Sequence, residues 1–538
     1  MAIGCGGNNN SKEAENAITA ESLGKQIATL SSDEFLGRKP FTAGEEKTVN
    51  YLKSEFEKLG LKPGNGDSFF QDVPMVELTP APIKGITVTS AKGKSDLKFA
   101  EEFIASTPLV EKEVKLENSE IVFAGFGIVA PEYNWNDYEG LDVKGKTVLV
   151  LVNDPGYDTQ DSAFFKGKTM TYYGRWTYKY EEAARQGASG VLIVHETGPA
   201  GYPWQVLEHG AGTAKLQLQK ESNGQSHCTI EGWVTYDAAK KLFALANKSK
   251  EFETLRQSAC QRGFKGYPLG LKYSLTIQNS IRTANSKNVI AVLPGTTRKD
   301  EYVFYTAHWD HFGVGPTVNG DSIYNGAVDN ASGTAGLIEI ARAFSKLNVK
   351  PSRSVVLLAV TAEEQGLLGS AYYSQNPVYP LSKTVAAINM DALNVVGKMK
   401  DVAVIGYGHS DLDDYITTAA KEQGRYIIPD QTPEKGSFFR SDHFNFAKVG
   451  VLALYAKGRF DHAEKGKDFA KEKSKEYESQ RYHQPSDQYD PATWDLSGMV
   501  DDLRLLFKVG FRLSNESTFP QWKNGSEFKA KRDQDMGK

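Results

Sequence analysis

The sequence predicts an α/β protein with a mixed central sheet flanked by helices, interrupted by a smaller β-rich domain. Three observations carry that expectation. A chain of 538 residues is too long for one hydrophobic core, because cores stop growing at about 250–300 residues. From about 287 to about 515, compact β-branched apolar runs alternate with helical segments, the rhythm of a sheet covered on both faces. Between about 118 and 280 the texture changes to short strands bounded by Gly, Pro, Asn or Asp, with few candidate catalytic groups among them.

Taken in order, residues 14–30 read as a helix, and Asp33–Arg38 as a loop. In Thr42–Leu59 the residues Val49, Leu52, Phe56 and Leu59 repeat at spacings of three and four, so they share one helix face, and Gly60 supplies a stop. Ile121–Gly127 and Thr147–Val152 read as short strands, and a helical run from Tyr178 to Gln186 leads into the strand Val191–Val194. Asn288–Leu293, Tyr302–Thr306, Ser354–Val360 and Thr384–Asn389 read as buried strands. The helix Ser332–Leu347 carries Leu337, Ile340, Ala341 and Phe344 as its apolar stripe, and Val449–Tyr455 reads as core. The polar stretch Pro520–Lys538 reads as a loose tail. These elements divide the chain into an N-terminal tether (1–19), a discontinuous main domain (20–115 and 285–517), an insertion (116–284) and a C-terminal tail (518–538).

Composition excludes several classes of function. With 63 basic residues against 67 acidic ones the formal charge is -4, so nucleic acid is not expected as a partner. No apolar run reaches the ~18 residues needed for a helix to span a bilayer. Three cysteines, Cys5, Cys228 and Cys260, are too few for a disulfide framework or a thiolate zinc cluster. For Cys228 and Cys260, pairing and two buried free thiols both stay open. The opening Met-Ala-Ile-Gly-Cys-Gly-Gly-Asn-Asn-Asn resembles the end of a bacterial lipoprotein signal, in which a small residue precedes the lipidated cysteine and a polar tether follows. On that resemblance a lipid anchor at Cys5 and a periplasmic or secreted location are expected, and the protein is expected to be a monomer.

The chemistry gathers where the strands end. Tyr302–Ala307 runs into His308-Trp309-Asp310-His311, delivering polar residues to a carboxyl edge, the usual site region of open α/β sheets. Two-residue spacing in an extended chain would put His308 and Asp310 on one side, where the carboxylate could fix the imidazole's tautomer. Asn325–Gly333 places Asp329 just before a helix, as a ligand, a helix cap or both. Val355–Ala362 ends in Glu363-Glu364, and Val385–Asn389 in Met390-Asp391. Adjacent acids after a buried strand are costly unless metal or hydrogen bonds compensate them.

With these pieces in order, the chain resembles the M28 family of co-catalytic zinc peptidases, which includes bacterial leucyl aminopeptidases and glutamate carboxypeptidase II. The match is carried by His308-Trp309-Asp310, Gly326–Gly333, Ala362–Ser370, Asn389-Met390-Asp391 and Tyr482–Asp487, and spans about 20–105 and 285–515. The resemblance implies the zinc-exopeptidase, phosphorylase/hydrolase-like fold and two Zn2+ per chain. Asp329 would bridge the two ions, with His308 and Asp391 completing one site and Glu364 and His483 the other. It makes Glu363 the general base, Asp310 the partner of His308, and Tyr482 a candidate hydrogen-bond donor to the oxyanion. It also implies a non-proline cis bond at Asp329-Asn330. The insertion is similar to a protease-associated (PA) domain in Phe123–Gly127, Asp137–Lys146 and Ala183–Gly190, which implies a wall or lid of the cleft.

The expected reaction is hydrolysis of the N-terminal bond of a peptide substrate. Paired zinc brings water towards ionisation near neutral pH, Glu363 takes its proton, and an ion orients the free α-amine. A carboxypeptidase or dipeptidase on the same core is the enzymatic alternative, with Arg440 or Arg459 as sources of carboxylate recognition. A binding protein with a dead site fits less well, because Glu363 and the ligand set are all present. His311 is read as shaping the rim, and Ser441-Asp442-His443 as a wall near the site, since neighbouring residues do not make a nucleophile relay. His195, His209, His227, His409 and His462 take ordinary surface or core roles.

Overall fold

The computed structural model describes residues 6–219, 227–247 and 252–537. Cys5, with its lipid-anchor reading, lies outside the described residues. Among those described, no helix is long and apolar enough to cross a membrane. The chain forms two compact units: Met1–Pro74, Ala284–Gln431 and Arg440–Lys538 make one, and Met75–Thr283 with Thr432–Phe439 the other.

The first unit is built on a mixed sheet. Its order is Lys62–Pro63, the end of the long strand Tyr267–Leu293, Arg353–Val360, Arg298–His308, Thr384–Asn389, Ala453–Lys457, Asp401–Ile405 and Tyr426–Pro429. The four central strands, from Arg353–Val360 to Ala453–Lys457, run parallel. Neighbouring residues of one of them show why both faces are covered, since successive side chains in a strand point to opposite sides. Tyr305 packs on Phe344 of the helix Ser332–Ser345 and donates to Leu506 O in the helix Ser497–Asn515. Phe304 instead meets Tyr373 of Leu368–Gln375 and Phe446 of His443–Lys448. Leu337, Ile340, Ala341 and Phe344 are buried as their spacing requires.

Two terminal segments depart from expectation. The stretch 14–30 is two helices, Gly6–Asn16 and Ala20–Leu30, because Thr19 caps the second by accepting from Ser22 N at 3.2 Å. Ala14 and Ile18 are buried, so this part of the tether packs. The expected loose tail also packs: Trp522 donates to Gly450 O, and Arg532 of the helix Lys529–Asp535 donates to Leu381 O and Thr384 O. Isolated anchors in a polar segment leave no periodicity to read.

The second unit has its own sheet, in the order Gly93–Lys98, Gly85–Ser90, the first part of Tyr267–Leu293, Glu113–Phe123, Thr147–Leu151, Gly190–His195, Ile230–Thr235 and Phe103–Ser106. Gly85–Ser90, Gly93–Lys98 and Phe103–Ser106 all pair within it, so the unit starts at Met75, ahead of position 116. Alternation along Thr147–Leu151 sends Val148 and Val150 into one apolar cluster and Leu149 and Leu151 into another. Cys228 and Cys260 are buried free thiols.

Candidate metal centre

Three neighbouring parallel strands set up the site by ending together. In the pairing register His308 lies opposite Val360, and Thr306 opposite Asn389. A few residues beyond each end therefore bring His308, Glu363-Glu364 and Asp391 to one edge. Asp329 arrives from the loop before Ser332–Ser345. There Asp487 accepts from the Val328 and Asp329 amides at 3.1 Å each, and Asn330 Oδ1, rather than Asp329, takes the Gly333 amide of the helix start at 2.8 Å. The Asp329-Asn330 bond is cis, as the family resemblance implies. His483 follows the helix Gly466–Gln480. Ala362, Ala392 and His483 have φ of 52°, 46° and 58°, so the ligand-bearing turns sit in a region that costs non-glycine residues energy.

Two imidazole nitrogens face carboxylates without bonding them. His308 Nε2 lies 3.3 Å from Asp329 Oδ1 and 3.6 Å from Asp391 Oδ1; His483 Nε2 lies 3.3 Å from Asp329 Oδ2 and from Glu364 Oε2. Both Nε2 atoms are buried and have no hydrogen-bond partner among the described residues. Zinc with N and O ligands at about 2.0–2.1 Å in a tetrahedron separates those ligands by about 3.3–3.4 Å. The spacings therefore fit two cations sharing Asp329. Groups of potential ligands also form around His308, Asp329 and Asp391, around His308, Glu363 and Glu364, and around His311, Asp329 and Glu364. Seven carboxyl groups, those of Asp310, Asp329, Glu363, Glu364, Asp391, Asp442 and Asp487, meet the imidazoles of His308, His311, His443 and His483 and the cations Arg38 and Lys457 here, and the negative surplus that is left is one that divalent cations would neutralise.

A shell of hydrogen bonds sets these groups in place. Arg38, fully buried, donates to the carbonyls of Leu30, Trp309, Asn325 and Gly326 at 2.6–2.9 Å, tying the loops of His308 and Asp329 to the N-terminal helices. Thr306 donates to Asn389, Asn389 to Ser441, and Ser441 to Asp391 Oδ2 at 2.5 Å. Lys457 spends its ammonium on Asp391 O, Ala392 O and the Tyr455 hydroxyl. Burial, with Glu364 and Asp391 nearby, holds the Glu363 carboxyl well above the usual range.

The expected residues are thus placed as follows. His308, Asp329, Glu364, Asp391 and His483 converge, and Glu363 Oε2 stands 3.9 Å from His308 Nε2. Asp310 does not bond His308 through its carboxylate, which lies 3.8 Å from Nδ1. His308 Nδ1 donates to the Asp310 carbonyl at 3.2 Å, while the carboxylate accepts from the Glu363 and Glu364 amides at 3.0 and 3.4 Å. The strand ends at His308, so alternation no longer governs Asp310. Tyr482 stacks on the His483 ring at 3.7 Å and is 46% exposed. Arg459 lies 3.6 Å from Glu478. Sequence reasoning missed Arg38 and Lys457, gave Asp487 no role and set His311 aside, because the contacts that bring each of them to the site are with residues distant in the chain.

Residues 288–507 match the model of Peptidase family M28, and that stretch contains every residue of the candidate metal-ligand clusters. Among curated relatives, it is 31% identical over 161 residues to the aminopeptidase NAALADL1 of Rattus norvegicus, covering 29% of this chain and 20% of that one. It is 35% identical over 133 residues to a glutamate carboxypeptidase 2 homolog of Caenorhabditis elegans, covering 24% and 16%. The chain thus spans about a fifth or less of the length of these relatives. Among solved structures, an aminopeptidase from Aneurinibacillus sp. strain AM-1 shares the fold, with a TM-score of 0.51 and 18% identity over 95% of this chain and 97% of that one.

Proposed function

We propose that the protein is a di-zinc aminopeptidase that hydrolyses the N-terminal bond of peptides. The observation that carries this reading is the two-sided carboxylate of Asp329, with one oxygen 3.3 Å from His308 Nε2 and the other 3.3 Å from His483 Nε2. His308, Asp329 and Asp391 would hold one ion, and Asp329, Glu364 and His483 the other. Bound zinc would supply Lewis acidity, favouring ionisation of water near neutral pH and stabilising oxyanion charge. Glu363, raised in pKa beside this centre, takes the proton of the attacking water and returns one to the leaving amine. Tyr482, anchored on His483, donates its hydroxyl proton as a hydrogen bond to the developing oxyanion. Asp310 keeps Glu363 and Glu364 in register by accepting from their amides. The second unit, which begins at Met75, is proposed to carry a PA domain.

The choice of the amino end draws on the names of two similar proteins, the NAALADL1 aminopeptidase and the Aneurinibacillus aminopeptidase. A carboxypeptidase reading draws on the Caenorhabditis relative. Initial rates on matched peptides with free, acetylated or amidated ends separate the two, using chelated enzyme with and without restored zinc. Loss of turnover on N-acetylation, with amidation tolerated, is expected. Dependence on a free C-terminus would replace the first reading with the second, and zinc-independent turnover would remove both.

A further inference from the structure

Distances around the outer carboxylates fall into two classes. Asp391 Oδ1 lies 3.6 Å from His308 Nε2 and Glu364 Oε2 lies 3.3 Å from His483 Nε2, the separation of groups that share a cation. On the opposite oxygens the spacings are those of hydrogen bonds: Ser441 Oγ to Asp391 Oδ2 at 2.5 Å, and His311 Nδ1 to Glu364 Oε1 at 2.6 Å. An ionised carboxylate only accepts, so His311 Nδ1 carries the proton. The His311 ring is buried, and its contact with Glu364 joins residues 53 positions apart.

We infer that His311 is a positioning residue: it occupies Oε1 of Glu364, reserves Oε2 for one metal ion, and so sets the affinity of that ion separately from its neighbour. Ser441 plays the matching part for Asp391 with a neutral hydroxyl, whose own lone pair is engaged by Asn389 and backed in turn by Thr306. The two ions therefore lean on different donors, an imidazole on one side and a hydroxyl chain on the other. Groups that orient metal ligands in this way are typically worth about 10–100-fold in affinity. His311 also lies close enough to Asp329 and Glu364 to be a ligand itself, but the nitrogen that faces Glu364 is committed to a hydrogen bond.

The inference rests on the two-ion reading above, and one titration separates their failures. Apo full-length protein is titrated with Co2+ and with Zn2+, following uptake calorimetrically and the cobalt bands by visible absorption. Wild type that takes up fewer than two ions sinks the two-ion reading. If wild type takes up two, His311→Ala should keep one native affinity and weaken the other about 10–100-fold. His311→Asn, whose amide can donate from near the Nδ1 position, should recover most of the loss. Ser441→Ala should weaken the other of the two cobalt absorption steps. Equal weakening of both ions in His311→Ala, unchanged affinities, or perturbation of the same step by both alanine variants would overturn the inference. So would a change of cobalt coordination number in His311→Ala, which marks a direct ligand. If His311→Ala fails to fold, His311→Phe, which fills the ring's space without a donor, is titrated in its place, with the same weakening of one ion expected and the same outcomes overturning the inference.

Discussion

Arg38→Met should loosen the first unit at the loops that bear His308 and Asp329. The native guanidinium donates to four carbonyls, of Leu30, Trp309, Asn325 and Gly326, and Asp310, Asp487 and Asp329 lie near enough to favour its charge. Burial is nevertheless the largest influence on it, lowering its pKa to about 10. Four charge-assisted bonds at ~1.5–3 kcal/mol each would sum to roughly 6–12 kcal/mol. The cost of burying the cation, several kcal/mol, offsets part of that, and methionine retains much of the apolar stem. A net loss of about 3–5 kcal/mol is expected, the range seen when one side of a buried ionic network is removed. At ~2–4 °C per kcal/mol for large domains, the first unit's transition in differential scanning calorimetry should fall by about 6–20 °C. Hydrogen exchange of amides 309–329 should accelerate as well. Arg38→Lys, which keeps the charge but has only three donors, should lie between. A fall of less than about 2 °C with native exchange would refute the view that Arg38 staples these loops.

Three further outcomes are expected. Glu363→Gln should lower kcat by about 10²–10⁴-fold while metal content by mass spectrometry stays at the wild-type value, and undiminished turnover would remove Glu363 as the base. In the second unit, burial lowers the pKa of His195, which donates through Nε2 to Tyr202 O. The unfolded imidazole, near ~6.5, protonates first, so its contribution is fully present above that pH and is lost as pH falls through the lower folded value, by at most ~1.4 kcal/mol per pH unit. Urea midpoints between pH 7.5 and 5 should fall less in His195→Gln than in wild type. Burial raises the pKa of both Cys228 and Cys260, the latter to about 12, so neither should react with a thiol reagent at pH 8 until urea unfolds the second unit. Prompt native labelling of either residue in a peptide map would contradict their burial.

Much of the site's frame was legible because each strand announces its end. Tyr302–Ala307, Val355–Val360 and Val385–Asn389 are apolar runs cut off by His308, by Glu363-Glu364 and by Asp391, and parallel strands place such ends on one edge. The helix 43–58 was equally readable, since Val49, Leu52 and Phe56 bury as their spacing demands. Asp310 stays within ion-pair distance of His308, but its carboxylate accepts from the Glu363 and Glu364 amides, which alternation along a strand that ends at His308 does not show. His311 was set aside because its partner, Glu364, comes from another strand. Trp522 and Arg532 hold the C-terminal segment through isolated contacts with residues far off in the chain, which no pattern over a window reveals.

By itself the sequence determined which segments of the first unit's core become strands and helices and which residues stand at their ends, because local hydrophobic periodicity is written along the chain. Only the tertiary structure decided what each polar atom does there: which oxygen of Glu364 faces His483 and which takes the His311 proton, and which four carbonyls Arg38 satisfies. Nearly all of those assignments depend on distances of a few ångströms between residues tens to hundreds of positions apart, and such distances exist only once the sheet has brought its strand ends together.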